Sequence, residues 1–123
     1  METVRRLVDE AAGLAFERVL FTGGESLLLP DIYPMLAYAA ERLPTTLLTN
    51  AMLARGARLD QLEAVNHPNL VVQVSLDGGR AEHHDPYRGA GSWQRTVEGL
   101  RLLLERGFKV KLATTETPAN CAH

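Results

Sequence analysis

The sequence predicts an α/β fold, a parallel sheet of about four strands joined by helical crossovers, and three observations predict it. Short apolar runs recur along the chain as "RVLFT", "TTLLT", "NLVVQVSLD" and "FKVKLATT". Between these runs apolar residues return at helical spacing. Turn-forming residues such as glycine and proline punctuate the changeovers. Strands separated by helices connect through right-handed crossovers, which makes neighbours in the sheet parallel.

Each element follows from its own residues. Val4, Leu7, Val8, Ala11 and Ala15 predict a helix near 2–15. "RVLFT" is the first strand. Asp31 is placed to cap a second helix, with Ile32, Met35, Leu36, Ala39 and Leu43 as its apolar stripe. Pro34 falls in that helix's first turn, where a missing N–H is tolerated. After Pro44 the β-branched run "TTLLT" is the second strand. Leu59, Leu62 and Val65 face inward from a helix over 57–65. "NLVVQVSLD" is the clearest strand, carrying Val71, Val72 and Val74. Ser92 can cap a final helix with Trp93, Val97, Leu100 and Leu104 buried, Thr96 and Glu98 on a solvated face, and Gly107 at its exit. The order is α-β-α-β-α-β-α-β. The nearly continuous apolar strands imply burial on both faces, and either an open sheet or a segment of a barrel fits.

Composition narrows the function classes. At 123 residues, 46% hydrophobic and 23% charged, the chain reads as one soluble globular domain. A net charge of −2 without any basic run argues against nucleic acid. No apolar run approaches the roughly 20 residues that span a bilayer, and "METVRRLVDEAA" lacks the apolar stretch of a signal peptide. Cys121 is the one cysteine. It permits neither an intrachain disulfide nor a cysteine metal cage from these residues, and it suits a reducing, cytoplasmic setting.

In parallel sheets ligands gather at the carboxyl ends of the strands, so residues 22–26, 49–52, 75–88 and 114–120 are the ones to read. Gly23 and Gly24 permit a sharp turn, and such a corner is either that or a ligand site. Phosphate is disfavoured, because Glu25 follows at once with no lysine nearby, and neither GxGxxG nor GxxxxGK[ST] is matched. Main-chain carbonyls beside a carboxylate are acceptors and suit an amine. Ser75 and Asp77, two apart, could accept from ribose hydroxyls or form an Asp-Gly turn. Asn50 is a turn residue or a ligand contact. Arg88 is a bidentate clamp for a carboxylate or a solvated loop arginine. His83, His84 and Asp85 do not make a metal site, since adjacent histidines diverge and no further ligand stands at useful spacing. A loop with satisfied imidazoles is expected there, with His67 and His123 at the surface and Cys121 not a catalytic thiol.

Taken together, "RVLFTGGESLLLPD", "TTLLTNAMLA" and "VQVSLDGGRAEHHDPYRGAGSW" resemble, in that order, the radical S-adenosylmethionine superfamily, in the branch of peptide-modifying and cofactor-maturing enzymes. Its pattern at these places is Gly-Gly-Glu-Pro, Thr-Asn-Gly, and Ser-Leu-Asp-Gly followed by His-Asp and Arg-Gly. The likeness runs from the first helix to "TTETPAN". It implies a fragment of a partial (β/α)6 TIM-like barrel with S-adenosylmethionine at the strand ends. By position, Gly23, Gly24 and Glu25 would hold the methionine amino group. Ser75 and Asp77 would lie near the ribose or the methionine end, and Arg88 near the carboxylate. The family reaction uses a reduced [4Fe–4S] cluster to cleave the sulfonium into methionine and a 5′-deoxyadenosyl radical, which abstracts a substrate hydrogen.

The departures matter equally. Ser26 stands where the family has proline, and Ala51 where it has glycine. The family's Cys-x3-Cys-x2-Cys segment, which belongs upstream of the first helix, has no counterpart in these residues. The expectation is therefore the middle of a radical enzyme, cut at both ends, with S-adenosylmethionine as its cofactor and a [4Fe–4S] cluster that this chain does not ligate. By itself it is expected not to perform reductive cleavage. The alternative is a non-catalytic α/β binding or assembly module. It would be completed by a separate cluster-bearing chain, or self-associate as a homo-oligomer or domain-swapped dimer through exposed sheet edges.

Overall fold

The computed structural model describes residues 2–22, 25–77 and 80–114, with the side chains of His83, Pro86, Tyr87 and Arg88 outside that description. Helix α1 (Glu2–Gly13) leads into β1 (Val19–Phe21), a 3-10 turn (Ser26–Leu28), α2 (Ile32–Ala40) and β2 (Thr45–Thr49). Then come α3 (Gly56–Ala64), β3 (Leu70–Ser75), α4 (Ala81–Arg88), α5 (Ser92–Glu105) and β4 (Lys109–Ala113). The four strands form one sheet in the order β1-β2-β3-β4, every pair parallel. The α/β parallel sheet expected from the sequence is therefore present, with all four carboxyl ends along one rim.

Helical cover accounts for the core. Leu47 of β2 and Leu70, Val72 and Val74 of β3 pack with Ile32, Leu36 and Ala40 of α2, Leu59 and Leu62 of α3, and Leu103 of α5. A second cluster joins Val8 and Ala11 of α1 to Ala39 and Leu43 beside α2. The expectation of burial on both faces holds for β2, where only Leu48 is half-buried, and is corrected for β3 and β4. Burial in β3 alternates between buried and half-buried residues, and no residue of β4 is buried. Thus Val71, Gln73 and Ser75 lie on the face away from the helices, and Leu20 of β1 is 51% exposed. Apolar content in these strands exceeds what one layer of helices covers.

Three further expectations change. The "AEHHDPYR" stretch, read as a loop, is α4, so two helices rather than one connect β3 to β4. Asp31 does occupy the N-cap position of α2 but makes no side-chain cap bond; the first amide is met instead by Ile32 N donating to Leu29 O at 3.1 Å. Helix α5 buries Ser92, Thr96, Gly99 and Leu103, while Leu104 is 56% exposed. Its inward face is thus turned by one residue from the Trp93, Val97, Leu100, Leu104 stripe. The reason is steric: a Cβ on Gly99 would stand 1.8 Å from the Ala51 carbonyl oxygen. Only a helix seated on its smallest residue approaches the backbone so closely. Thr96, expected in solvent, is carried into the interior by that rotation.

Candidate functional site

The corner after β1 is tied to the end of β2 by one carboxylate. Glu25 precedes the 3-10 turn and accepts from Leu27 N at 2.9 Å, capping it. The same carboxylate accepts from Thr49 Oγ1 at 2.8 Å and 2.9 Å through its two oxygens, and from Asn50 N at 3.0 Å. Thr49 is 3% exposed and Leu27 2% exposed, so these donors meet the carboxylate largely out of water. Thr49 in turn accepts from Ala51 N at 3.1 Å, and Asn50 Oδ1 accepts from Met52 N at 2.9 Å in an Asx turn. Ala51 adopts φ +63°, a left-handed conformation that glycine takes freely and alanine does not. Tyr33 closes the back of this corner with its hydroxyl donating to Leu27 O at 3.3 Å, and burial pushes its phenol pKa up.

The end of β3 is organised by α4. Leu76 N donates to Ala113 O at 3.0 Å, and Thr114 Oγ1 donates to Leu76 O at 2.7 Å, so the ends of β3 and β4 stay paired beyond the strands. Asp77 is 1% exposed, and its main-chain N–H donates to Nδ1 of the equally buried His84 at 3.0 Å. An accepting Nδ1 fixes which ring nitrogen is bare. One residue on, Asp85 caps α5 from outside that helix. Its carboxylate accepts from Trp93 N at 2.8 Å, Gly91 N at 3.0 Å and Ser92 Oγ at 3.1 Å. Those bonds, the Trp93 amide foremost, hold its carboxyl below the ordinary value. Ser92 is therefore not the cap; Gly91, at φ +76°, occupies that position and Asp85 supplies the acceptor.

Of the residues singled out from the sequence, Glu25 and Asn50 are brought within hydrogen-bond distance of each other. Ser75 ends β3 next to Val74, whose partner is Thr49, so Asn50 and Ser75 follow on neighbouring strand ends. Both are half-buried, and among the described residues neither Asn50 Nδ2 nor Ser75 Oγ has a hydrogen-bond partner. A donor and a hydroxyl left open on adjacent strand ends fit a polar ligand bearing hydroxyl or carboxylate groups. Asp77 is drawn inward instead. Arg88 is the last residue of α4; its side chain and that of His83 lie outside the description, as do Gly23, Gly24, Cys121 and His123. Sequence reasoning placed Thr49 among the strand ends without a role of its own, and weighed His84 and Asp85 only as metal ligands. Their signal was slight: a polar residue ending an apolar strand, and an aspartate seven positions before a helix start.

Comparison with known proteins gives this arrangement a family. The family model described as the radical SAM superfamily matches residues 1–118. The chain belongs to the radical S-adenosylmethionine superfamily. It is 31% identical over 121 residues to the AdoMet-dependent heme synthase of Methanosarcina barkeri, covering 97% of this chain and 34% of that protein. It is 32% identical over 118 residues to the mycofactocin maturase MftC of Mycobacterium tuberculosis, covering 94% of this chain and 30% of that protein. To the subtilosin biosynthesis protein AlbA of Bacillus subtilis it is 33% identical over 94 residues, or 75% of this chain and 21% of that protein. The chain thus spans about a third of the length of its heme synthase and maturase relatives. Its four-stranded parallel sheet with βα crossovers accords with a fragment of the family's TIM-like barrel.

The family implies S-adenosylmethionine and a [4Fe–4S] cluster, and the residues present fit the first better than the second. The open groups of Asn50 and Ser75 suit the hydroxyls and carboxylate of a nucleoside–amino acid conjugate. A [4Fe–4S] cluster takes cysteine thiolates, and these 123 residues hold one cysteine. Among the described residues no group of three His, Cys, Asp or Glu side chains could hold a metal ion. Nor, among them, is any helix long and apolar enough to cross a membrane.

Proposed function

We propose that this chain supplies the S-adenosylmethionine-facing strand ends of a cytoplasmic radical enzyme. One observation carries the reading: the Glu25 carboxylate joins the corner after β1 to Thr49 and Asn50 at the end of β2, so two of the family's motifs form a single rim. In this reading the corner formed by Gly23, Gly24 and Glu25 receives the methionine amino group. Asn50, Ser75 and Asp77 border the ribose or the methionine end, and Arg88 meets the carboxylate. When bound, S-adenosylmethionine together with a reduced cluster would supply one-electron chemistry directed at a substrate C–H bond. The residues of this chain bind and orient; cluster thiolates come from elsewhere. Calorimetric titration tests the binding role: saturable heat with S-adenosylmethionine, displaced by S-adenosylhomocysteine, is expected, and no heat at any concentration refutes it. Anaerobic reconstitution of the chain alone is expected to give a colourless, iron-free protein.

A second reading, an assembly module completed by another chain, is favoured by the edge position of β1 and by the apolar residues beside it. Leu7, Phe16 and Leu20 are 57%, 57% and 51% exposed and line a groove with Val4, Val8 and Ala11. An unpaired strand edge flanked by apolar surface recruits a further strand. Light scattering that shows a strict monomer at high concentration counts against self-association.

A further inference from the structure

We infer that Glu25 is a positioning residue, which locks the corner after β1 onto the end of β2 and leaves ligand contact to the neighbouring groups. The inference rests on the S-adenosylmethionine reading above and divides the labour within that site. A carboxylate offers about four lone-pair sites. Those of Glu25 already accept from Leu27 N, Asn50 N and the Thr49 hydroxyl, which lies within reach of both oxygens. Two of these donors are main-chain N–H groups 2 and 25 residues away in sequence. Turning the carboxylate toward a ligand amine would strip Leu27 N and Asn50 N of the one acceptor each has in this corner, and a partly buried N–H left unmatched is unfavourable. The carboxylate is therefore held by the protein. The group left for a ligand at this point of the rim is the Asn50 side-chain amide. Asn50 is set for that by two bonds: its N–H is held by Glu25 and its Oδ1 by Met52 N.

Thr49 distinguishes a brace from a receptor, because its hydroxyl touches Glu25 without being a ligand group. In Thr49→Val the brace loses a donor while the carboxylate gains free lone pairs. Expected are faster hydrogen exchange of the Asn50 and Leu27 amides in the ligand-free chain, and S-adenosylmethionine affinity weakened about tenfold. Thr49→Ser, which keeps the hydroxyl, is expected to restore both. Glu25→Ala is expected to accelerate exchange at the same two amides by about tenfold or more. Unchanged exchange in Glu25→Ala overturns the inference. So does a Thr49→Val chain that binds S-adenosylmethionine as tightly as wild type, or tighter, while Glu25→Ala has lost it. If no form of the chain binds S-adenosylmethionine, the site reading fails. The exchange measurements then still decide whether Glu25 braces the corner.

Discussion

Two strand-end regions of this molecule use the same device at different range. At the end of β2, the Glu25 carboxylate reaches a hydroxyl and an amide 24 and 25 residues away. At the end of β3, His84 and Asp85 accept from groups only 6 to 8 residues off. The long-range tie fixes where one strand end stands relative to another. The short-range ties fix the direction in which a helix leaves. Loss of the first is a loss of site geometry; loss of the second is a loss of helix seating. The two regions also meet where Gly99 of α5 packs against the Ala51 carbonyl.

That contact gives the largest expected effect. Gly99→Ala places a methyl where backbone already stands, and neither partner is a flexible side chain. Chemical denaturation is expected to show about 3 kcal/mol of destabilisation. A chain that takes the methyl and stays close to wild-type stability would mean the two regions are not rigidly joined. Asp85→Asn sharpens the local side. The Asp85 pKa is lowered in the folded chain, so its contribution is present above the unfolded value and disappears as pH falls through the folded one. The melting temperature of Asp85→Asn should lie below wild type near neutral pH, by less than for Gly99→Ala, and the two curves should converge in acid. A gap that persists at low pH would assign the loss to shape rather than charge. Ala51→Gly probes the long-range side and should be smallest. Relief of the left-handed alanine is offset by greater freedom of the unfolded chain and one lost buried methyl, leaving the protein within about 0.5 kcal/mol of wild type on the stabilising side. Clear destabilisation in urea would show that the Ala51 methyl is needed against α5.

The strands and the first three helices were legible because their residues carry their own periodicity. Val71, Val72 and Val74 announce β3 by β-propensity, and Leu59 and Leu62 mark the inward face of α3 by spacing alone. Helix α4 was not, since two histidines and Pro86 in eight residues give no apolar stripe to read. What shapes it is tertiary: a buried imidazole receiving Asp77 N and an aspartate capping the next helix. The face of α5 was misread for a similar reason. Large apolar residues mark a buried stripe when side chains set the spacing, but here the close approach of Gly99 to a carbonyl set it. Of the rim itself, Glu25 and Asn50 could be singled out from their motifs, yet nothing along the chain reveals that they touch. A bond between residues 25 positions apart is a property of strand register, and register is written in the pairing of Leu47 with Phe21 and Val72.

Trp93 is the chain's one tryptophan, and its amide is held by Asp85 where α4 hands over to α5. Its fluorescence is thus a built-in optical gauge of that junction. Tyr33 and Tyr38 sit on α2, and the third tyrosine, Tyr87, is in α4, so the tryptophan is the ring that reports on one place alone. Tryptophan emission that changes before the helical signal is lost would show that this junction lets go ahead of the rest of the chain.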